Sequence, residues 1–268
     1  MLRSQVRTLG LAGLLVSTAS SLLSGQAQQK WVEGPRPVSE AVVRLVEECR
    51  CVITYEDPQW DMTEVVDVTE RVSTIKDPPR RILGPRTVGF VFPFERPERM
   101  TSPRDMTAAV ETMLAWHEYA GQKSRFRLEP ADNAVHVVPV GKSVLEVPIS
   151  IAEKEGRTME LLLSLLAELN STSGTDRQVK LGTVPTSYLM MTKARISADK
   201  EPGRHVLARL LGSAGRKVFW QLFYDYTLRF YALNLTFADP GGCAAFVRGA
   251  PCDVGDAEKA VLFKPAPQ

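Results

Sequence analysis

Histidine and cysteine are scarce. The 268 residues include three histidines (His117, His136 and His205) and four cysteines (Cys49, Cys51, Cys243 and Cys252). No histidine stands at ligand spacing from a cysteine pair, so the common zinc-binding sets are excluded and no metal is expected. Nucleophile and phosphate motifs are lacking too. Gly212-Ser213-Ala214-Gly215 is one residue short of Gly-x-Ser-x-Gly and reads as the stop of a helix, the wrong context for a nucleophile elbow. Neither Gly-x-x-x-x-Gly-Lys nor a Gly-x-Gly-x-x-Gly after a strand occurs, so no nucleotide cofactor is expected. A surplus of one charge is also missing. Lys and Arg number 33 against 31 Asp and Glu, and two of the basic residues, Arg3 and Arg7, lie in the first 27 positions, which hold no acid. The remainder is neutral, which excludes the basic excess of a nucleic-acid binder. No catalytic residue and no cofactor is assigned.

What is present begins with a leader. Arg3 and Arg7 form a basic start, Leu9 to Leu23 is apolar, and Gly25-Gln26-Ala27 places small residues at the −3 and −1 positions before Gln28. These are the three parts of a cleavable secretory signal peptide over residues 1–27. The apolar stretch is short of the roughly 20 strongly apolar residues of a spanning helix, and no other stretch is long enough to cross a bilayer. An extracytoplasmic location, periplasmic or secreted, with no membrane span in the mature chain is the expectation. Such a compartment permits disulfides. Cys243 and Cys252 bracket a Gly- and Pro-rich loop and are the expected pair. Cys49 falls on the apolar face of a helix and reads as a buried thiol, since cysteines one residue apart seldom bridge.

Along the chain, 28–37 reads as a polar lead-in. Val38, Ala41, Val42, Leu45, Val46 and Cys49 recur at helical spacing, and Cys51 to Tyr55 reads as a buried strand. Residues 58–86 are loop-like, with a short strand at Val65 to Val68. Thr87 to Phe92 is a strand ended by Pro93. Pro103 and Asp105 open a helix with Met106, Ala109, Val110, Met113, Leu114 and His117 on its core face. Phe126–Leu128 and Val135–Val138 form a hairpin. The second half repeats the order, with a leucine-rich helix from Met159 to Leu169, strands at Val179–Leu181 and Ala194–Ala198, a helix from Pro202 to Ala214, and a hairpin of Lys217–Tyr224 with Phe230–Phe237. The fold class expected is α+β, in two related units of helix, strand, strand, helix and hairpin. Residues 31–145 form the first, 146–240 the second, and 241–268 a disulfide-closed tail.

Three stretches carry a resemblance. Val38 to Pro58 couples an amphipathic helix to a strand running into Glu56-Asp57-Pro58. "ISADKEPGRHVLARLL" (Ile196–Leu211) is a strand and a Pro-led helix. "RFRLEPADNAVHVVP" and "VFWQLFYDYTLRFYALNLTF" are the closing hairpins. The pattern resembles, in tandem, the short amino-terminal domain shared by outer-membrane secretins and TonB-dependent transducers, with a longer loop at Asp57–Arg86. That resemblance implies an interaction module of the periplasm with an envelope protein as partner. Oligomeric state is not assigned.

Two segments are candidates for binding. Tyr55, Glu56, Asp57, Trp60 and Asp61 put three acids and two stacking rings where a strand leaves the sheet, which suits a sugar or peptide and would also suit a small secreted hydrolase. The terminal hairpin has aromatic residues on both faces. If one face is bare, Trp220, Tyr224 and Tyr231 form a partner surface. Arg80, Arg81 and Arg86 read as a solvated loop, and Asn170-Ser171-Thr172 as a chance match to the glycosylation pattern.

Overall fold

The computed structural model describes residues 28–72, 80–94, 102–123, 125–131, 133–141, 143–174 and 177–239. The expected leader and the Cys243–Cys252 pair lie outside the described residues. The class is α+β. The first half runs β1 (Gln28–Gly34), α1 (Pro37–Cys49), β2 (Val52–Glu56), β3 (Val65–Asp67), α2 (Thr69–Val72), β4 (Leu83–Pro85), β5 (Val88–Phe94), α3 (Pro103–Tyr119), β6 (Phe126–Ala131) and β7 (Ala134–Pro139). A 3-10 turn at Val144–Glu146 leads to β8 (Pro148–Arg157), α4 (Thr158–Ser173), β9 (Val179–Leu181), α5 (Thr186–Met191), β10 (Lys193–Pro202), α6 (Gly203–Gly212), β11 (Val218–Asp225) and β12 (Phe230–Phe237).

The pairing pattern is the same in both halves. β1 and β5 form an antiparallel ribbon, as do β8 and β10. Strands β6, β7 and β2 lie side by side, and so do β11, β12 and β9. In each trio the hairpin is antiparallel and the third strand joins it in parallel. The trios meet where β2 runs parallel to β11, Tyr55 opposite Gln221 and Glu56 opposite Leu222, giving one six-stranded sheet of order β6-β7-β2-β11-β12-β9. Helices α1 and α3 of the first half, and α4 and α6 of the second, lie between ribbon and sheet, because each has one apolar stripe to cover.

Side-chain alternation decides which half covers which face. Successive residues of a strand point to opposite sides. On β11, Phe219 joins the core of the first half, with Val42, Val46, Ile53 and Val135, and Phe223 packs at its margin. Val218, Trp220 and Leu222 join the core of the second half, with Leu162, Leu165, Leu207 and Leu211. The helices of the two halves therefore sit on opposite faces of the shared sheet. Both sides of the aromatic hairpin are covered at the junction, so its apolar pattern needs no outside partner there.

Local sequence explains most boundaries. Ser102 and Asp105 form a reciprocal capping box at the start of α3, with Pro103 in the first turn. Gly203 opens α6 where a Cβ would lie 2.5 Å from Leu169 Cδ2, so a bare Cα permits the close approach of α4 and α6. Leu163 alone of the α4 leucines is half exposed.

Three expectations are corrected. Residues 28–34 form β1 instead of a polar lead-in, because seven residues pair with β5 while only Val32 carries an obvious inward side chain. Strand β5 continues through Pro93, which a ribbon strand tolerates better than a central one. Cys49 is placed against Cys51 as a disulfide-like pair, in place of the expected lone buried thiol. Arg50 adopts the left-handed conformation (φ 50°) as the C-cap of α1, and this turn brings the two Cα atoms to 5.1 Å, within the usual range for a disulfide.

Candidate functional site

Strand β2 ends in Tyr55-Glu56 and runs on into Asp57 at the junction of the halves, and each of these three side chains has a fixed internal use. Tyr55 faces the core of the first half and is fully buried; Glu56, on the other face, and Asp57 are each 1% exposed. A buried carboxylate must find donors or a cation. Glu56 finds Arg204, itself 1% exposed, in the first turn of α6: Nε donates to Oε1 at 2.6 Å and Nη2 to Oε2 at 3.2 Å. Ser143 Oγ donates to the same carboxylate, and Arg204 Nη1 reaches Glu129 on β6. Arg127 continues the chain of charges to Glu129 and Glu146. For Glu129, burial works against the charge, but Arg204 and Arg127 outweigh it and hold the carboxyl below its usual range.

Asp57 is satisfied from the other side. Arg36 Nε donates at 2.6 Å, the Tyr55 hydroxyl at 2.8 Å and the Tyr224 N–H at 2.9 Å. Burial pushes Asp57 above the ordinary carboxylate value, with Arg36 and these donors pulling it back. Burial, with Asp57 beside it, also raises the Tyr55 hydroxyl. His136 on β7 completes the junction. Its Nδ1 is 2.8 Å from Thr54 Oγ1, and its ring stacks on Trp220 with centroids 5.2 Å apart. Burial first, and the Arg204 charge second, lower its pKa to about 4. His136 Nε2 and Trp220 Nε1 are buried with no partner among the described residues.

The predicted binding residues are therefore divided. Tyr55, Glu56 and Asp57 are interior groups. Trp60 is partly covered, with its backbone N–H donated to the Tyr226 hydroxyl and Arg125 over its ring, while its indole Nε1 is buried with no partner among the described residues. Asp61 is exposed, 3.6 Å from Lys123 and 3.7 Å from Arg125. In the terminal hairpin, Trp220 and Tyr231 are buried and cannot offer their rings to a partner; Tyr224 is partly exposed and contacts Tyr226 and Tyr231. Sequence reasoning missed Arg36, Arg204, Glu129 and Ser143. The only signal for Arg204 is indirect: acids entering a buried strand require a cation somewhere in the chain.

Beside Asp57 lies a cleft of about 450 Å³. Its floor is the cross-strand pair Phe223 and Ala232, and one wall is the β3–β4 arm, with Val68, Ile82 and Leu83. The arm is tied to the turn of the last hairpin, because Leu83 N–H donates to Thr227 Oγ1 and that hydroxyl donates to the Arg81 carbonyl. Two guanidiniums, Arg36 and Arg71, line the cleft. Segments of both halves build it, and its mainly apolar lining with few polar groups has the character of a small-molecule pocket. Among the described residues no group of three or more His, Cys, Asp and Glu side chains is placed to hold a metal. No helix among them is long and apolar enough to cross a membrane.

Comparison with protein-family models, with curated proteins and with solved structures finds no match to this chain.

Proposed function

We propose that the chain is an exported, extracytoplasmic binding or assembly module without chemistry of its own, built of two related units like those at the amino termini of secretins and TonB-dependent transducers. Residues 1–27 have the composition of a secretory leader. The repeated pairing order of the halves supports descent from one unit. What carries the reading is the use made of the acids at the end of β2. A hydrolase that uses a carboxylate pair as acid and base or nucleophile needs both within reach of the substrate, whereas Glu56 and Asp57 are buried and bonded to Arg204, Ser143, Arg36, Tyr55 and the Tyr224 backbone. The open feature next to them is a cleft, which suits binding.

The test is recovery from envelope extract by the purified protein, with native mass spectrometry of what is retained. The expected result is a stoichiometric ligand or partner held by the wild type and lost from Ala232→Trp, which fills the cleft, with circular dichroism unchanged. Equal recovery by both proteins would contradict the reading. So would a hydrolytic activity that Glu56→Gln abolishes while the fold persists.

A further inference from the structure

The cleft carries more information than its size. Phe223 and Ala232 face it because they are cross-strand partners on one side of the sheet. The β3–β4 arm closes it with aliphatic side chains. An apolar body is what such a floor and wall would bury.

The polar groups are not balanced in the same way. A guanidinium has five N–H donors. Arg36 lies 4.7 Å over the Phe223 ring and spends Nε on Asp57 and one Nη2 hydrogen on the Tyr224 carbonyl. Arg71 donates from Nη1 to Thr87 Oγ1, and no carboxylate among the described residues pairs with it. Thr87 accepts that bond through oxygen, which leaves its own hydrogen to donate. The acid lining the cleft, Asp225, has Oδ1 occupied by the Thr227 and Leu228 N–H groups of its own turn and keeps Oδ2 as an acceptor, against the several unused N–H groups of Arg36 and Arg71. Spare side-chain donors therefore outnumber spare side-chain acceptors among the residues that line the apolar cleft. One planar, singly charged anion matches them, since a carboxylate pairs with a guanidinium through two parallel hydrogen bonds.

Resting on the binding-module reading, we propose that this cleft binds a small carboxylic acid with an apolar body. The carboxylate sits on Arg71, Arg36 and the Thr87 hydroxyl, and the body lies over Phe223 and Ala232 against Ile82 and Leu83.

The experiment is calorimetric titration of the full chain with octanoate, octanamide and octylamine, which share a chain and differ in charge. Arg71→Gln tests the anion contact. Arg80→Gln, an exposed arginine outside the cleft lining, controls for loss of one positive charge. The expected result is octanoate binding at least tenfold tighter than octanamide, no binding of octylamine, a tenfold or greater loss in Arg71→Gln and no change in Arg80→Gln. Equal binding of octanoate and octanamide, or equal loss in the two variants, overturns the carboxylate assignment while leaving a binding cleft in place. Failure of all three probes to bind the wild type also overturns it, and the binding-module reading then stands or falls on the envelope recovery alone.

Discussion

Single residues explain why this chain holds charge inside itself. Glu56, Asp57 and Arg204 are buried and Arg36 is half-buried, and each acid has a cation with additional donors. Removing one member would strand the other, which usually costs more than the pair contributes. The two buried histidines behave in the opposite manner, since burial lowers both His117 and His136 from 6.5 to about 4. The unfolded chain takes up their protons as pH falls through about 6.5, while the folded chain resists until about 4. Stability is thus complete above 6.5 and declines across that window, by about 2 kcal/mol per histidine at about pH 5. Urea unfolding at pH 7 and pH 5 should show this decline. Its size should fall by about half in His117→Phe, because that ring already packs edge-on against Phe90 and Phe126. A stability that is flat from pH 7 to pH 5 would contradict the assignment. Tyr55, Glu56 and Asp57 were legible as a notable cluster because acids and aromatic rings gather there where a strand leaves the sheet. Their cations were not, since Arg36 and Arg204 lie 21 and 148 positions from them and meet them only through tertiary packing.

Elements with strong periodicity were legible and elements held by pairing were not. The stripes of α1, α3 and α6 and the alternation of β12 are local properties, and they match the buried residues. Strand β1 and strand β8 went unread because their polar outer faces dominate their composition, and only β5 and β10 beside them make them strands. The pairing of Cys49 with Cys51 went unread because it depends on one left-handed residue, Arg50. Asn170 shows a third kind of hidden role. It looked like a chance glycosylation match, yet its side-chain amide accepts from the Val179 N–H at 2.6 Å and donates to the Val179 carbonyl at 2.9 Å. It thereby occupies backbone groups of β9, the last strand of the sheet, much as a neighbouring strand would. Asn170→Ala is expected to cost about 1–3 kcal/mol, because buried Val179 would be left with unpaired groups. Chemical denaturation measures the loss; a change within about 0.5 kcal/mol, the range of ordinary surface substitutions, would show that water replaces the amide freely.

At the scale of the whole molecule, two halves with the same pairing order share one sheet and clothe opposite faces of it. The junction is narrow in backbone terms, with β2 and β11 in register over Tyr55–Gln221 and Glu56–Leu222. Side chains make it substantial. Phe219 crosses into the first core, His136 stacks on Trp220, and Arg204 of α6 reaches Glu56 and Glu129. The acids that read from the sequence as part of a binding segment are the fastening between the halves, and a cleft lies at the end of the same junction. A double-mutant cycle on Glu56→Leu and Arg204→Met, read by urea unfolding at pH 7, tests that claim most directly. Each single replacement is expected to cost about 3–5 kcal/mol, and the double replacement about 2–3 kcal/mol less than the two together. Single losses under about 1 kcal/mol, or losses that add to within about 0.5 kcal/mol, would contradict it.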